Sequence, residues 1–268
     1  MNFFFELNFL SILIFILFVC ISFLEINRKD KIKKNLFFVS LFFSTISCFV
    51  NFIHLTNFEF INNYNLIIYF SLFLTFFLYF FICIVDFSFI KMRFFFIVYF
   101  SFILMLYNSL TLYSYNNNNF LILENKFLST HIILSFLSYS FLSISALSSI
   151  AIFLQEKNLK SSLTRTNFFF NSLPSIYESE KIKIKLLYAT QIFLLLSLFS
   201  GFYYTTEITN NINDFFNEKS ILSSLTFMLI CILLLIRYFF GVSGKKVFNI
   251  VLLSYFFINL SYFGIKLL

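Results

Sequence analysis

The sequence of 268 residues contains no tryptophan, one proline and four glycines, and charged residues make up only 12% of it. So little charge, beside 60% hydrophobic residues and a mean hydropathy of +0.91, excludes an ordinary soluble domain. With glycine this scarce, neither a GxGxxG fingerprint nor a Walker phosphate loop occurs. The four cysteines, Cys20, Cys48, Cys83 and Cys231, stand singly in hydrophobic stretches without CxxC spacing. Structural disulfides, a zinc site and a CxxCH attachment motif therefore find no support, and each cysteine reads as a small packing residue. Histidine is scarcer still, with His54 and His131 the only two.

What the chain has in abundance is phenylalanine, 48 residues of it. Together with frequent Ile, Asn, Lys and Tyr this points to an AT-rich genome, so most Phe positions are generic lipid-facing or packing positions. Hydrophobic runs recur at about 5–24, 36–55, 66–86, 94–113, 130–154, 187–205, 220–240 and 247–266. Each is long enough to cross a hydrocarbon core of roughly 30 Å. A lone hydrophobic segment in lipid must satisfy its backbone internally, so each is expected to be helical. The fold expected is an all-α polytopic membrane helical bundle of about eight transmembrane helices, forming one integral membrane domain over 1–268. The first run lacks a basic preceding region and a small-residue cleavage site, so it reads as a span rather than a cleaved signal.

Charge orients these spans. The formal net charge of +7 sits in short loops, where it sets topology rather than recruiting nucleic acid. EINRKDKIKK at 25–34 holds five basic residues, Lys91 and Arg93 follow the third span, and Lys157, Lys160, Arg165, Lys181, Lys183 and Lys185 follow the fifth. Arg237, Lys245 and Lys246 follow the seventh, which places sixteen of nineteen Lys and Arg on one side; only Lys126, Lys219 and Lys266 fall on the other. The rich side is cytoplasmic by the positive-inside rule, so both termini are expected on the outer, periplasmic side of a bacterial inner membrane. The loop at 155–186 contains the only proline, Pro174, and reads as a partly helical amphipathic linker on the membrane surface. The asparagine run 116–119 is a low-complexity tract, and no internal repeat is evident.

This topology levels the two histidines. The second span runs outward and ends near His54, while the fifth runs inward and begins near His131. At about 100° per residue, Asn51, Ser47, Ser44 and Ser40 share the His54 face, and Ser135, Ser138, Ser145 and Ser149 share that of His131. Polar stripes of this kind turn toward the protein interior, because an unpaired polar group in hydrocarbon costs free energy. Two imidazoles at one depth form a pair of candidate axial ligands for b-type haem, with Asn51 as an outer partner of His54. The competing reading leaves both histidines at span ends, meeting headgroups and water. No catalytic constellation is present: Asp86 ends the third span far from either histidine, and Glu59, Glu124, Glu207, Asp214 and Glu218 lie in outer loops. The chain is therefore not expected to be an enzyme.

From the fifth span onward the text resembles a known family. THIILSFLSYS at 130–140 and ALSSIAIFLQEKNLK at 146–160 are similar to the helix that opens the core of the cytochrome c assembly membrane proteins, with its HxxLSxxSY pattern. LPSIYESE at 173–180, LFSGFY at 198–203, KSILS at 219–223, RYFFGVSGKK at 237–246 and YFGIK at 262–266 follow in the family's order. Their spacing looks most like the YpjD/HemX-like branch, related to CcsA, and the resemblance is clearest over 128–268. It implies haem handling in cytochrome complex assembly, with His131 matching a family histidine and His54 falling where that branch carries one. Haem-presenting members such as CcsA and CcmC carry a Trp-rich outer loop; here that loop reads NDFFNE at 213–218, which speaks against haem export. Arg237 stands where some relatives have a histidine. The branch has also been associated with divalent-cation efflux, so a transporter or its accessory subunit is the alternative, and a non-haem structural partner is a third. Membrane lipids, haem and other cytochrome-biogenesis membrane proteins are the partners this implies.

Overall fold

The computed structural model is helical, as uninterrupted apolar segments in lipid must be. It describes residues 2–24, 30–56, 63–101, 103, 126–160, 173–209, 217–241 and 244–261, with no strand among them. The helices are α1 (Asn2–Ser22), α2 (Lys31–Thr56) and α3 (Asn63–Val85), then a 3-10 turn (Phe87–Met92) that runs into α4 (93–101). They continue with α5 (Lys126–Lys160), α6 (Ile176–Thr209), α7 (Glu218–Phe240) and α8 (Lys245–Asn259).

Five of these helices, α2, α3, α5, α6 and α7, are long and apolar enough to cross a membrane. α1 contributes a shorter apolar helix, Leu10–Ser22, and α8 has 15 residues. Most of the fourth expected span, 94–113, lies outside the described residues, as do the last residues of the eighth. α5 and α6 overrun the span limits expected from hydropathy, extending to Lys160 and back to Ile176. Residues 161–172 of the expected surface linker, and the asparagine tract, lie outside the described residues.

The chain divides into two compact units, Met1–Phe120 and Leu121–Leu268. In the first, aromatic rings fill the space between helices. Phe18 of α1 meets Phe37 of α2 and Phe76 of α3, both at 5.9 Å between ring centroids. Phe76 in turn stacks on Phe100 of α4 at 3.4 Å, and Tyr79 stacks on Phe96 at 3.7 Å. Arg93, expected in a cytoplasmic loop, is instead buried, at 3% exposure. Its guanidinium donates from Nε to the Ser22 carbonyl (2.5 Å) and from Nη2 to that of Leu24 (3.0 Å), just where α1 ends. A helix C-terminus presents unpaired carbonyls at the negative end of the helix dipole, so a cation is the natural cap.

In the second unit, α5 and α6 pair along the largest helix–helix contact among the described residues. Three contacts give the register: His131 with Ser197, Phe141 stacked on Phe193 at 5.4 Å, and Gln155 Nε2 donating to the Pro174 carbonyl. As one partner advances the other recedes, so the pair is antiparallel. α8 lies antiparallel to α5, since Phe153 stacks on Phe248 at 4.4 Å while Tyr139 donates to Asn259 at 3.2 Å. α7 is tied to α6 by Gln191 donating to the Phe227 carbonyl (3.3 Å) and by the Arg237–Glu180 ion pair (2.8 Å). Gly241 ends α7 with φ 60°, and its N–H closes on the Arg237 carbonyl at 2.9 Å. That left-handed cap is the conformation only glycine adopts without strain.

Candidate functional site

α5 buries seven serines, Ser135, Ser138, Ser140, Ser143, Ser145, Ser148 and Ser149. This is more than the single stripe read from the sequence. All seven spend the hydroxyl proton on their own helix three or four residues back, as Ser138 does on the Ser135 carbonyl at 2.7 Å. A serine so bonded behaves as a small, satisfied residue, and small residues let membrane helices approach closely. That close approach brings the start of α5 against the end of α6.

His131 stands in the first turns of α5 and is half-buried. Its Nδ1 lies 2.8 Å from the carbonyl oxygen of Ser197 on α6 and 3.3 Å from Ser200 Oγ. A carbonyl can only accept, so Nδ1 carries the proton and donates. Ser200 Oγ gives its own proton to the same Ser197 carbonyl at 2.9 Å, which leaves it an acceptor toward the imidazole. One turn along α5, Ser135 Oγ donates to the His131 carbonyl at 2.7 Å and lies 2.6 Å from Ser197 Oγ. With the Ser135 proton committed, Ser197 is the donor in that second bond. Every hydrogen around the ring is thus assigned, and Nε2 of the neutral imidazole is left with its lone pair and no hydrogen-bond partner among the described residues.

Gly201 completes the seat. A Cβ placed there would lie 2.8 Å from His131 Cε1, 3.0 Å from Nδ1 and 3.6 Å from Nε2. The ring occupies the volume that any other residue would fill.

Asn51 lies on the buried face of α2 with Ser40 and Ser44, while Phe42, Phe43, Ile46, Phe49, Val50 and Ile53 are exposed. The polar stripe expected from the sequence therefore does turn inward in the first unit. Asn51 is 5% exposed and its Nδ2 has no hydrogen-bond partner among the described residues. A buried amide donor left unpaired costs about 1–3 kcal/mol. His54 falls in the last turn of α2, and its side chain lies outside the described residues. Asn51 and His54 belong to one unit and His131 to the other.

The remaining expectations can be placed briefly. Asp86 follows the last turn of α3, where its N–H donates to the Ile82 carbonyl at 2.8 Å. Glu218 opens α7, whereas Glu59, Glu124, Asp214 and the side chain of Glu207 lie outside the described residues. Arg237 is committed to Glu180. No group of three or more His, Cys, Asp or Glu able to hold a metal ion occurs among the described residues. Ser197, Ser200 and Gly201 were not singled out from sequence as site residues, although 198–203 carries part of the family resemblance. A glycine among the large residues of a hydrophobic run was the available signal.

The model of the cytochrome C assembly protein family matches residues 34–268. The chain belongs to that family. The match takes in α2, with Asn51 and His54, as well as all of α5 to α8. A protein of Azospirillum brasilense, described as an uncharacterized 28.8 kDa protein in a nifR3-like 5' region, is 34% identical over 139 residues. Those residues are 51% of this chain and 49% of that one, so the chain spans about half the length of this curated relative. No solved structure matches. Family membership and five membrane-length helices make this cytochrome c assembly family member a multi-pass membrane protein.

Proposed function

We propose that this family member binds b-type haem and acts, without catalysing a reaction, in the assembly of cytochrome complexes in the bacterial inner membrane. In this reading it has eight spans with both termini outward, and it belongs to the YpjD/HemX-like branch that lacks the tryptophan-rich loop. His131 and His54 are the residues that would hold the haem, which would supply a redox-active iron. One observation carries the reading: the Ser197 carbonyl takes the Nδ1 proton of His131 at 2.8 Å and leaves Nε2 as a ready ligand. Metal-bound histidines almost always donate their other ring N–H in this way. The Nδ2 of Asn51, without a partner among the described residues, supports the same reading, since a haem propionate would give it an acceptor.

Optical and redox spectra of the detergent-purified protein, with and without added haem, test this. A Soret band that disappears in His131→Ala is the expected result. Protein that carries no haem and takes none up overturns the assignment. In a deletion strain, cytochrome content is expected to fall while divalent-metal accumulation stays unchanged; the reverse pattern would favour cation efflux.

A further inference from the structure

The Ser197 carbonyl is already committed twice before the imidazole reaches it. It belongs to the ladder of α6, whose next turn is Gly201, and it accepts the Ser200 hydroxyl at 2.9 Å. A side chain from another helix can approach such a carbonyl only if the surface above it is open. In an α-helix the Cα–Cβ bond tilts toward the N-terminus, so each side chain covers the turn before its own Cα. The residue that covers the Ser197 carbonyl is therefore residue 201, four positions on. It is the only glycine of α6.

We infer that Gly201 is the positioning residue of this site: by leaving the Ser197 carbonyl uncovered it selects the Nδ1–H tautomer of His131 and fixes the plane of its ring. The distances support this. Cε1 sits 2.8 Å from the missing Cβ, closer than side-chain packing allows, and Nδ1 sits 3.0 Å from it, tight enough that one of the two groups must give way. A methyl group at 201 would displace the ring edge that faces α6. Nδ1 would then lose the carbonyl at 2.8 Å, together with the weaker contact to Ser200. Without those acceptors the imidazole reverts toward the Nε2–H tautomer, whose Nε2 has no lone pair for a metal. The α5 residues beneath the ring, Ser135 above all, secure the helix pair through Ser197 Oγ and do not touch the ring nitrogens. The tautomer, and with it the competence of Nε2 as a ligand, is set by α6.

The ligand role of Nε2 rests on the proposed function, but the tautomer does not, and the two are read separately. The full-length protein is labelled with 15N-histidine, reconstituted without haem, and its two histidines are assigned with His54→Gln. Wild type is expected to show His131 with Nδ1 protonated and Nε2 bare. In Gly201→Ala a substantial Nε2–H population is expected. Thr190→Ala, on the same helix and fully buried, leaves the His131 resonances unchanged. Added hemin is then expected to bind Gly201→Ala about 10–100-fold more weakly, the usual cost of losing a ligand's outer partner. An Nε2–H tautomer in wild type overturns the inference, and needs no variant to be seen. So does a Gly201→Ala spectrum identical to wild type. Wild type that shows the bare Nε2 but binds no hemin instead defeats the haem assignment and leaves the tautomer result to stand for Gly201.

Discussion

The two units solve helix packing in opposite ways. In the first, rings fill wide gaps: Phe18, Phe37, Phe76 and Phe100 form one continuous aromatic run across α1 to α4. In the second, serines and Gly201 let α5 and α6 close on each other until a side chain of one touches the backbone of the other. The difference matters for chemistry. A ring-filled interface is tolerant in register, because flat apolar surfaces slide at little cost. An interface of small residues is fixed by close backbone approach, and there the structure shows a histidine whose Nδ1 has a carbonyl acceptor on the neighbouring helix. Each unit nonetheless offers a polar group without a hydrogen-bond partner among the described residues, Nε2 of half-buried His131 in one and Nδ2 of buried Asn51 in the other.

If that contrast is sound, the largest stability loss should come from emptying a ring position. Phe76 is buried at the crossing of three helices, stacked on Phe100 at 3.4 Å. Phe76→Ala is expected to destabilise the protein by about 3–5 kcal/mol, because lipid cannot refill a cavity sealed inside the helices. Thermal unfolding in detergent measures it. A loss below about 1 kcal/mol would mean that the helices collapse onto the gap, and the first unit would not be held by its rings.

The second unit should respond to size and hardly at all to polarity. Ser145 is fully buried and its hydroxyl is spent on the Leu142 carbonyl at 2.8 Å. Ser145→Ala keeps the volume and removes only a bond internal to α5, so unfolding should shift by less than about 0.5 kcal/mol. Ser145→Leu adds two heavy atoms at a fully buried position and is expected to cost about 1–3 kcal/mol. Equal effects from both substitutions would show that the hydroxyl, rather than the smallness of the residue, holds the interface.

Much of this contrast was legible in the sequence, and the remainder was illegible for identifiable reasons. Hydropathy located the helices, because in lipid a run of apolar residues has no alternative to a helix. Helical phase placed Ser40, Ser44 and Asn51 on a buried face, since that phase is a property of one helix alone. Arg93 escaped because a capping cation and a topology-setting cation are the same residue in the same kind of loop; only the end of α1, some seventy positions away, distinguishes them. The seat of His131 escaped for a similar reason. Which residue of α6 faces an α5 histidine depends on how the two helices are rotated against each other, and no periodicity within either one encodes that. His131 stands out in the sequence, while Ser197 and Gly201, which face its ring, do not.

An effect of about 1 kcal/mol at Asn51 tests whether the first unit contributes to haem binding. Asn51 is 5% exposed, and its Nδ2 donor has no partner among the described residues. Asn51→Leu keeps the number and branching of side-chain heavy atoms and removes the unsatisfied group, so in haem-free protein it is expected to raise stability by about 1 kcal/mol. If the amide exists to meet a ligand, the same variant should bind added hemin more weakly, with the loss appearing only on the ligand side. Stability that falls in the haem-free protein would mean that Nδ2 has an ordinary acceptor in the fold. Unchanged hemin binding would restrict the haem site to the second unit and leave His131 as its only supported ligand. Stability and affinity moving in opposite directions is the signature of a polar group retained for binding at the expense of the fold, and a packing role for Asn51 cannot produce it.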